Sequence, residues 1–458
     1  MKQPDTEPIR YRPYTSSNID AIPQFRRLSQ DQRSAIDAVS RVLPFRVNNY
    51  VVDHLIDWDN IPDDPIFQLT FPQEEMLAPA EFSLLRDLIT RQAPEEELGR
   101  AVARIRGGMN PHPAGQMDLN VPQLDGKPLP GMQHKYRETV LFFPSQGQTC
   151  HAYCTYCFRW AQFVGMEDLK FAANEAETLV RYLTSHPEVR DVLITGGDPL
   201  VMRTSLLRGY IEPLLRLESL HSIRIGTKAL AWWPHRFVTD ADAEPLLELF
   251  EDIVDSGKHL AVMAHYSHPR ELSTRISGIA VRRIQETGAT IRAQAPLIRR
   301  VNDSSGVWAA MWQKQVDLGI IPYYMFVERD TGPRQYFDVP LYRALDLFTR
   351  AVRQVSGLGR TVRGPSMSCT PGKVLIDGVA EVNGEQVFVL KFIQGRDPRW
   401  TNRIFFARYD ERASWIDDLE PAFEERFFFE ENPRSGRRWK HFTVYPGARS
   451  GAASRTHR

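Results

Sequence analysis

"TVLFFPSQGQTCHAYCTYCFRW", residues Thr139 to Trp160, places Cys150, Cys154 and Cys157 directly after a short apolar run. Only one further cysteine, Cys369, occurs in the chain. A structural zinc site draws on two short-spaced pairs of ligands, and no second pair follows. Four cysteines, three of them clustered, do not make a secreted disulfide framework. Inert packing suits a single cysteine better than three at this spacing. Thiolates are the standard ligands of iron–sulfur clusters. Three of them can hold three irons of a [4Fe–4S] cluster and leave the fourth iron open to another ligand.

Outward from this stretch, β-type runs alternate with helical patterns. "TVLFF" is followed by "DVLITGG" (191–197), "SIRIGTK" (222–228), "HLAVMAHY" (259–266), "TIRAQAPLI" (290–298) and "PYYMFVE" (322–328). Strands separated by helices at roughly 30-residue spacing predict βαβ units and a parallel sheet, here a partial (β/α)6 barrel. Parallel strands covered on both faces are expected to be apolar throughout. Chemistry in such sheets sits at the carboxyl ends of strands. The cysteines follow the first strand, and "GGDPL" (196–200) ends the second.

The flanks differ in character. Residues 1–24 are polar and proline-bearing and read as a flexible arm. Residues 25–110 read as helical, with a Ser cap before "QDQRSAIDAVSRVLPFRV" and glycines after "PEEELGRAVARIR". Residues 111–373 form the barrel region, entered through a Pro/Gly-rich connection. Residues 374–445 read as a β-rich extension, with a hairpin around "VNGEQ", and 446–458 as a disordered tail. The fold class is therefore α/β, a partial barrel between a helical N-terminal region and a β-rich C-terminal extension.

With 57 basic and 57 acidic residues in 458, no global field recruits nucleic acid or an anionic membrane. The first twenty residues lack the apolar core of a signal peptide, and no run approaches the ~18 apolar residues of a membrane span. The expectation is a cytoplasmic enzyme.

The CxxxCxxC spacing within βα units resembles the radical S-adenosylmethionine (SAM) superfamily, whose open iron is chelated by SAM. "GGDPL" resembles its glycine-rich segment, which implies SAM contacts from Gly196, Gly197 and Asp198. "PGMQHKYRETVLFF", "RIGTKALAWWPHRF", "AHYSHPREL", "QAPLIRRVNDS" and "PYYMF" are similar, in order, to segments of the lysine 2,3-aminomutase family. "LPFRVNNYVVDHLIDWDNIPDDP" extends the similarity into the N-terminal helices, so that it covers roughly residues 25–400. That resemblance implies pyridoxal phosphate (PLP) as second cofactor, with Lys373 in "SMSCTPGKVLIDG" as the Schiff-base lysine. It implies a PLP-phosphate contact from Lys135, a place near the PLP for Tyr136, a SAM-end contact from His265, a place near the cofactors for Gln294, and an α-carboxylate grip by Arg159. A guanidinium suits a carboxylate because it can bind both oxygens.

The resemblance breaks at the distal substrate site. Lysine-specific members carry two aspartates where this chain has Arg329 and Ser366, although Asp330 is one residue away. Arg329 would repel a lysine side chain. The expected substrate is then acidic, glutamate or aspartate, or else small, with Arg329 paired to Glu328 or Asp338. The family's C-terminal zinc cysteines are missing. The leading expectation is an isomerase that turns an α-amino acid into a β-amino acid, a homo-oligomer served by an electron donor such as flavodoxin or ferredoxin. Two alternatives are a relative that modifies a protein lysine, as on a translation factor, and a non-catalytic iron–sulfur protein.

Overall fold

A computed structural model of the chain describes residues 7–166, 172–173 and 175–430. Its N-terminal region is helical. Ser29 Oγ accepts the Gln32 amide at 3.1 Å and the Gln32 side chain accepts the Ser29 amide at 2.9 Å, starting α1 (Gln30–Ser40). Asp64 caps α2 (Pro65–Thr70) by accepting the amides of Ile66 and Phe67. α3 (Pro79–Thr90), α4 (Glu95–Gly108), which ends on its glycine pair, and the single turn α5 (Gln116–Leu119) follow.

The flexible arm expected over residues 1–24 is not found where those residues are described. β1 (Pro13–Thr15) pairs antiparallel with β2 (Arg46–Asn48), and Tyr14 and Ile22 are buried. Polar composition concealed a few well-spaced apolar anchors, which is enough to hold a segment down. Residues 1–6, and the tail expected over 446–458, lie outside the described residues.

β3 (Gln123–Leu124) and β4 (Lys127–Pro128) form a two-rung ladder in the Pro/Gly-rich connection. The main sheet then runs in strict chain order through β5 (Met132–Tyr136), β6 (Thr139–Phe142), β7 (Asp191–Ile194), β8 (Ser222–Thr227), β9 (His259–His265), β10 (Thr290–Leu297), β11 (Ile321–Val327), β12 (Arg363–Ser368), β13 (Gly372–Val382), β14 (Glu385–Gly395) and β15 (Ile404–Arg408). Strands β6 to β12 are parallel. Their crossovers carry α6 (Trp160–Phe163) with α7 (Ala176–Ser185), α8 (Thr204–Leu215), α9 (Ala229–Trp232) with α10 (Ala243–Asp255), α11 (Arg275–Glu286), α12 (Ser305–Asp317), and α13 (Arg334–Phe337) with α14 (Leu341–Val352). These are the six βα units of the sequence pattern, closed by a seventh parallel strand, β12. In α14 the buried Leu341, Ala344, Leu347 and Ala351 recur every three or four residues, the stripe that seats a helix on a sheet.

The parallel strands are not apolar on both faces. In β8, Ile223, Ile225 and Thr227 are buried, whereas Ser222, Arg224 and Gly226 retain access. β10 begins with the same alternation, Thr290, Arg292 and Gln294 being accessible. Side chains alternate across a strand, so one face packs on helices while the other lines an interior space. An incomplete barrel does not fill its centre, and polar residues are tolerated there.

The C-terminal extension continues this sheet. β13 and β14 form a hairpin turned by Asn383 and Gly384, both with positive φ (53° and 78°), the conformation that asparagine and glycine adopt most readily. The boundary expected after residue 373 falls inside β13. No helix of the described residues is long and apolar enough to cross a membrane.

Candidate active site

The cysteine loop leaves the carboxyl end of β6 and is braced by the N-terminal region. The Tyr153 amide donates to Arg46 O (2.8 Å) and the Thr155 amide to Leu69 O (2.9 Å). Asn48 Nδ2 and Tyr11 Oη both donate to His151 O, at 3.1 and 2.8 Å. The three thiols are unbridged. Burial pushes Cys154 up to about 12 and Cys157 up to about 11, and Cys150 well above the ordinary thiol range. Asp198, Cys157 and Cys154 raise Cys150 further and Cys157 raises Cys154, while Arg159 draws Cys150 and Cys157 down and Lys228 draws Cys154 down. Among the described residues no three ligating side chains converge on a single ion. A four-iron cubane instead needs three sulfurs spread round its corners, and three shielded thiols on one turn beside two cations fit that demand.

"GGDPL" presses against the start of this loop. A Cβ on Gly196 would fall on Gly147 O, and one on Gly197 on Thr149 O. The Asp198 amide donates to Thr149 O at 2.7 Å. The Asp198 carboxylate turns inward, accepting from Thr227 Oγ1 (2.8 and 2.9 Å), the Lys228 amide (2.8 Å) and the Leu200 amide (3.0 Å). Asp198 therefore ties the end of β7 to the end of β8.

Arg159, buried, donates to Gly196 O and stacks 4.3 Å from the Phe143 ring, so it stands between the cysteine loop and the glycine segment. His265 and Gln294 are register neighbours on β9 and β10, with Gln294 Nε2 2.7 Å from His265 Nε2. Burial holds the imidazole down at about 3, so it is neutral and accepts. Lys228, which the sequence reading did not single out, joins this end. Its amine pairs with buried Glu271 at 2.8 Å and approaches Ser267 Oγ at 3.3 Å.

Lys373 lies opposite Ser368 on β13 and faces the interior, its Nζ 4.1 Å from the Tyr324 ring centroid and 5.5 Å from that of Phe326. Burial first, then Arg224, Arg363 and Arg329, pull its amine down to about 7. Lys135 donates to Cys369 O, bridging β5 to the turn before Lys373, and burial holds its amine well below the ordinary range. The buried Tyr136 hydroxyl has no hydrogen-bond partner among the described residues. An amine near neutrality, surrounding cations and an orphaned hydroxyl fit an anionic carbonyl cofactor. Arg396, at the end of β14, donates to Thr370 O (2.8 Å), Leu119 O (3.0 Å) and Asn120 Oδ1, and borders an 870 Å³ cavity that also reaches Lys135 and Tyr136.

Arg329 spans the two ends of the site. Its guanidinium is 4.5 Å from the ring of Phe158, the residue after Cys157, and its Nη2 donates to Ser368 Oγ at 3.4 Å. Ser366 shares that face of β12 but has no exposed surface, its hydroxyl directed at Met325 O. The hydroxyl that meets Arg329 is thus Ser368, two residues beyond the one singled out from the sequence.

An incomplete parallel barrel carrying a three-cysteine loop after its first strand defines a radical SAM enzyme fold. The chain is 30% identical over 399 residues to the "Putative L-lysine 2,3-aminomutase" of Aquifex aeolicus, covering 87% of this chain and 93% of that protein. It is 23% identical over 344 residues to the L-lysine 2,3-aminomutase of Bacillus subtilis, covering 75% and 63%, and 25% identical over 230 residues to that of Clostridium subterminale, covering 50% and 52%. A radical SAM methyltransferase from Sphaerobacter thermophilus aligns over 52% of this chain and 68% of its own at 16% identity and a TM-score of 0.33, too slight a likeness to bear weight. No protein-family model matches. The chain belongs to the lysine 2,3-aminomutase family.

Proposed function

We propose that this family member is a radical SAM, PLP-dependent 2,3-aminomutase acting on an acidic α-amino acid, glutamate or aspartate. Arg329 carries this reading. It reaches between the cysteine loop and the strand of Lys373, and no carboxylate lies within ion-pair distance of it among the described residues. Asp330 Oδ2 accepts from Asn110 at 3.1 Å, and Asp338 lies 4.0 Å from Arg299 and Arg334. Burial, opposed by Arg329, holds the Glu328 carboxyl well above the usual carboxylate range, which weakens it as a counter-charge, and Asp330 favours the Arg329 cation without forming an ion pair with it. A side-chain carboxylate supplies the missing anion, whereas a lysine ammonium adds a like charge.

When bound, the cluster with SAM supplies a hydrogen-abstracting radical, and PLP supplies the electron-delocalising ring on which an amino group can change carbons. The protein's own share is placement. Cys150, Cys154 and Cys157 hold the cluster, Gly196 and Gly197 offer backbone beside it, and His265 with Gln294 lines the same end. Arg159 holds the substrate α-carboxylate and Arg329 the distal one, fixing a flexible molecule at both ends. Lys373 supplies the amine that captures PLP, with Lys135 and Tyr136 beside it. The surrounding walls exclude water from a radical reaction.

Anaerobically reconstituted protein, given SAM, a reductant and a panel of amino acids, tests this reading. An acidic substrate should yield a β-isomer, and Arg329→Met should raise its KM by about 30-fold or more. Faster turnover of lysine than of either acid would sink the substrate assignment.

A further inference from the structure

Arg292 on β10 and Arg363 on β12 converge on β11 from its two sides. The Arg292 guanidinium lies 5.2 Å from the Tyr323 ring centroid, and that of Arg363 lies 4.4 Å from Tyr323 and 4.3 Å from Tyr324. Tyr324 is also the ring addressed by the Lys373 amine. Both arginines are half-buried. Arg224 nearby is neutralised by Asp191, whose carboxylate accepts from its Nε at 2.9 Å. Among the described residues Arg292 and Arg363 have neither an ion pair nor a side-chain hydrogen bond; aromatic faces are their partners.

An aromatic face offsets only part of a guanidinium's charge. Two such charges on adjoining rings repel one another, more strongly where the dielectric is reduced. Together they present ten N–H donors and no acceptor, which is an oxyanion site. The two carboxylates of an acidic substrate already have Arg159, beside the cysteine loop, and Arg329, which reaches from that loop to Ser368. The oxyanion left for the Lys373 end carries two charges and is part of the cofactor.

We propose that Arg292 and Arg363 bind the phosphate of PLP from beneath Tyr323 and Tyr324, in addition to any contact from Lys135. The proposal rests on the reading of Lys373 as the PLP lysine, and it assigns to these arginines a role that the family resemblance does not. It also accounts for two basic residues in strands whose other face is apolar.

Binding of PLP and of pyridoxal, which lacks the phosphate, is measured by absorption titration of the anaerobic, cluster-loaded wild type and of Arg292→Met, Arg363→Met and Arg363→Lys. The methionine variants should each weaken PLP by about 10- to 100-fold while leaving pyridoxal affinity unchanged. Arg363→Lys should recover part of the loss, which also excludes a folding defect as its cause. Inorganic phosphate should compete with PLP in the wild type and less well in the variants. Unchanged PLP affinity would overturn the proposal, as would an equal loss for PLP and pyridoxal. Normal PLP binding with a raised KM for the acidic substrate would assign the arginines to substrate and overturn it too. If wild-type protein took up no PLP, or if Lys373→Ala took it up as well as wild type, the cofactor reading itself would fall.

Discussion

A lysine amine that captures a carbonyl at neutral pH has to be free of its proton, and Lys373 is placed to lose it. Burial and three arginines hold its amine at about 7. The amine is neutral above that value, so the rate of PLP capture should rise between about pH 6 and pH 8, with a midpoint near 7. A stopped-flow series across that range checks this; a midpoint above 9 would contradict it. Lys373→Ala should lose the visible absorption of bound PLP and keep the iron–sulfur absorption. Single residues could be nominated where neighbours in the chain announced them, as with Cys150, Cys154, Cys157 and the Gly372–Lys373 step, whose proposed roles the experiments above test. Lys228, Ser368 and Arg363 were not, because what distinguishes them is a partner 39 or more residues away.

Elements carry the cysteine loop to its place, and the glycine segment sets how closely they approach. Gly197→Ala puts a methyl group on Thr149 O, an overlap that costs about 1–3 kcal/mol. Iron and sulfide analysis after reconstitution should show lowered cluster content, with helix content unchanged by circular dichroism; full occupancy would contradict the tight fit. Tyr11→Phe removes one donor to His151 O, worth about 0.5–1.5 kcal/mol, and should speed loss of cluster absorbance in air. An unchanged rate would show that the N-terminal segment does not brace the loop. The six βα units were readable because their helices alternate with compact apolar runs. β12 escaped notice because "RGPSMS" carries glycine and proline, and its strand state comes from pairing with β11 and β13 rather than from propensity. The N-terminal segment was misread for a related reason, since pairing with β2 is invisible in its composition.

At the scale of the whole molecule, the C-terminal hairpin and the barrel share one sheet, and Lys373 sits where they join. Met367 and Cys369 are buried together with Val374, Ile376, Phe388 and Leu390 of the hairpin. Calorimetry of the described region should therefore show one cooperative transition, not a separate one for residues 374–430. Truncation after residue 373 should leave insoluble protein, because it exposes that apolar layer. Sequence periodicity revealed the barrel but placed a boundary inside β13, since a strand that starts at Gly372, beside the proposed PLP lysine, and continues into a hairpin looks like two units.

On the proposed reading, this chain moves an amino group between adjacent carbons of an acidic substrate. The most direct measurement is NMR of products formed anaerobically from 13C,15N-labelled glutamate and aspartate with SAM and reductant. The wild type should place 15N on carbon 3, and Lys373→Ala should place none there. Cleavage of SAM with 15N remaining on carbon 2 of both acids, or migration with lysine alone, would contradict it.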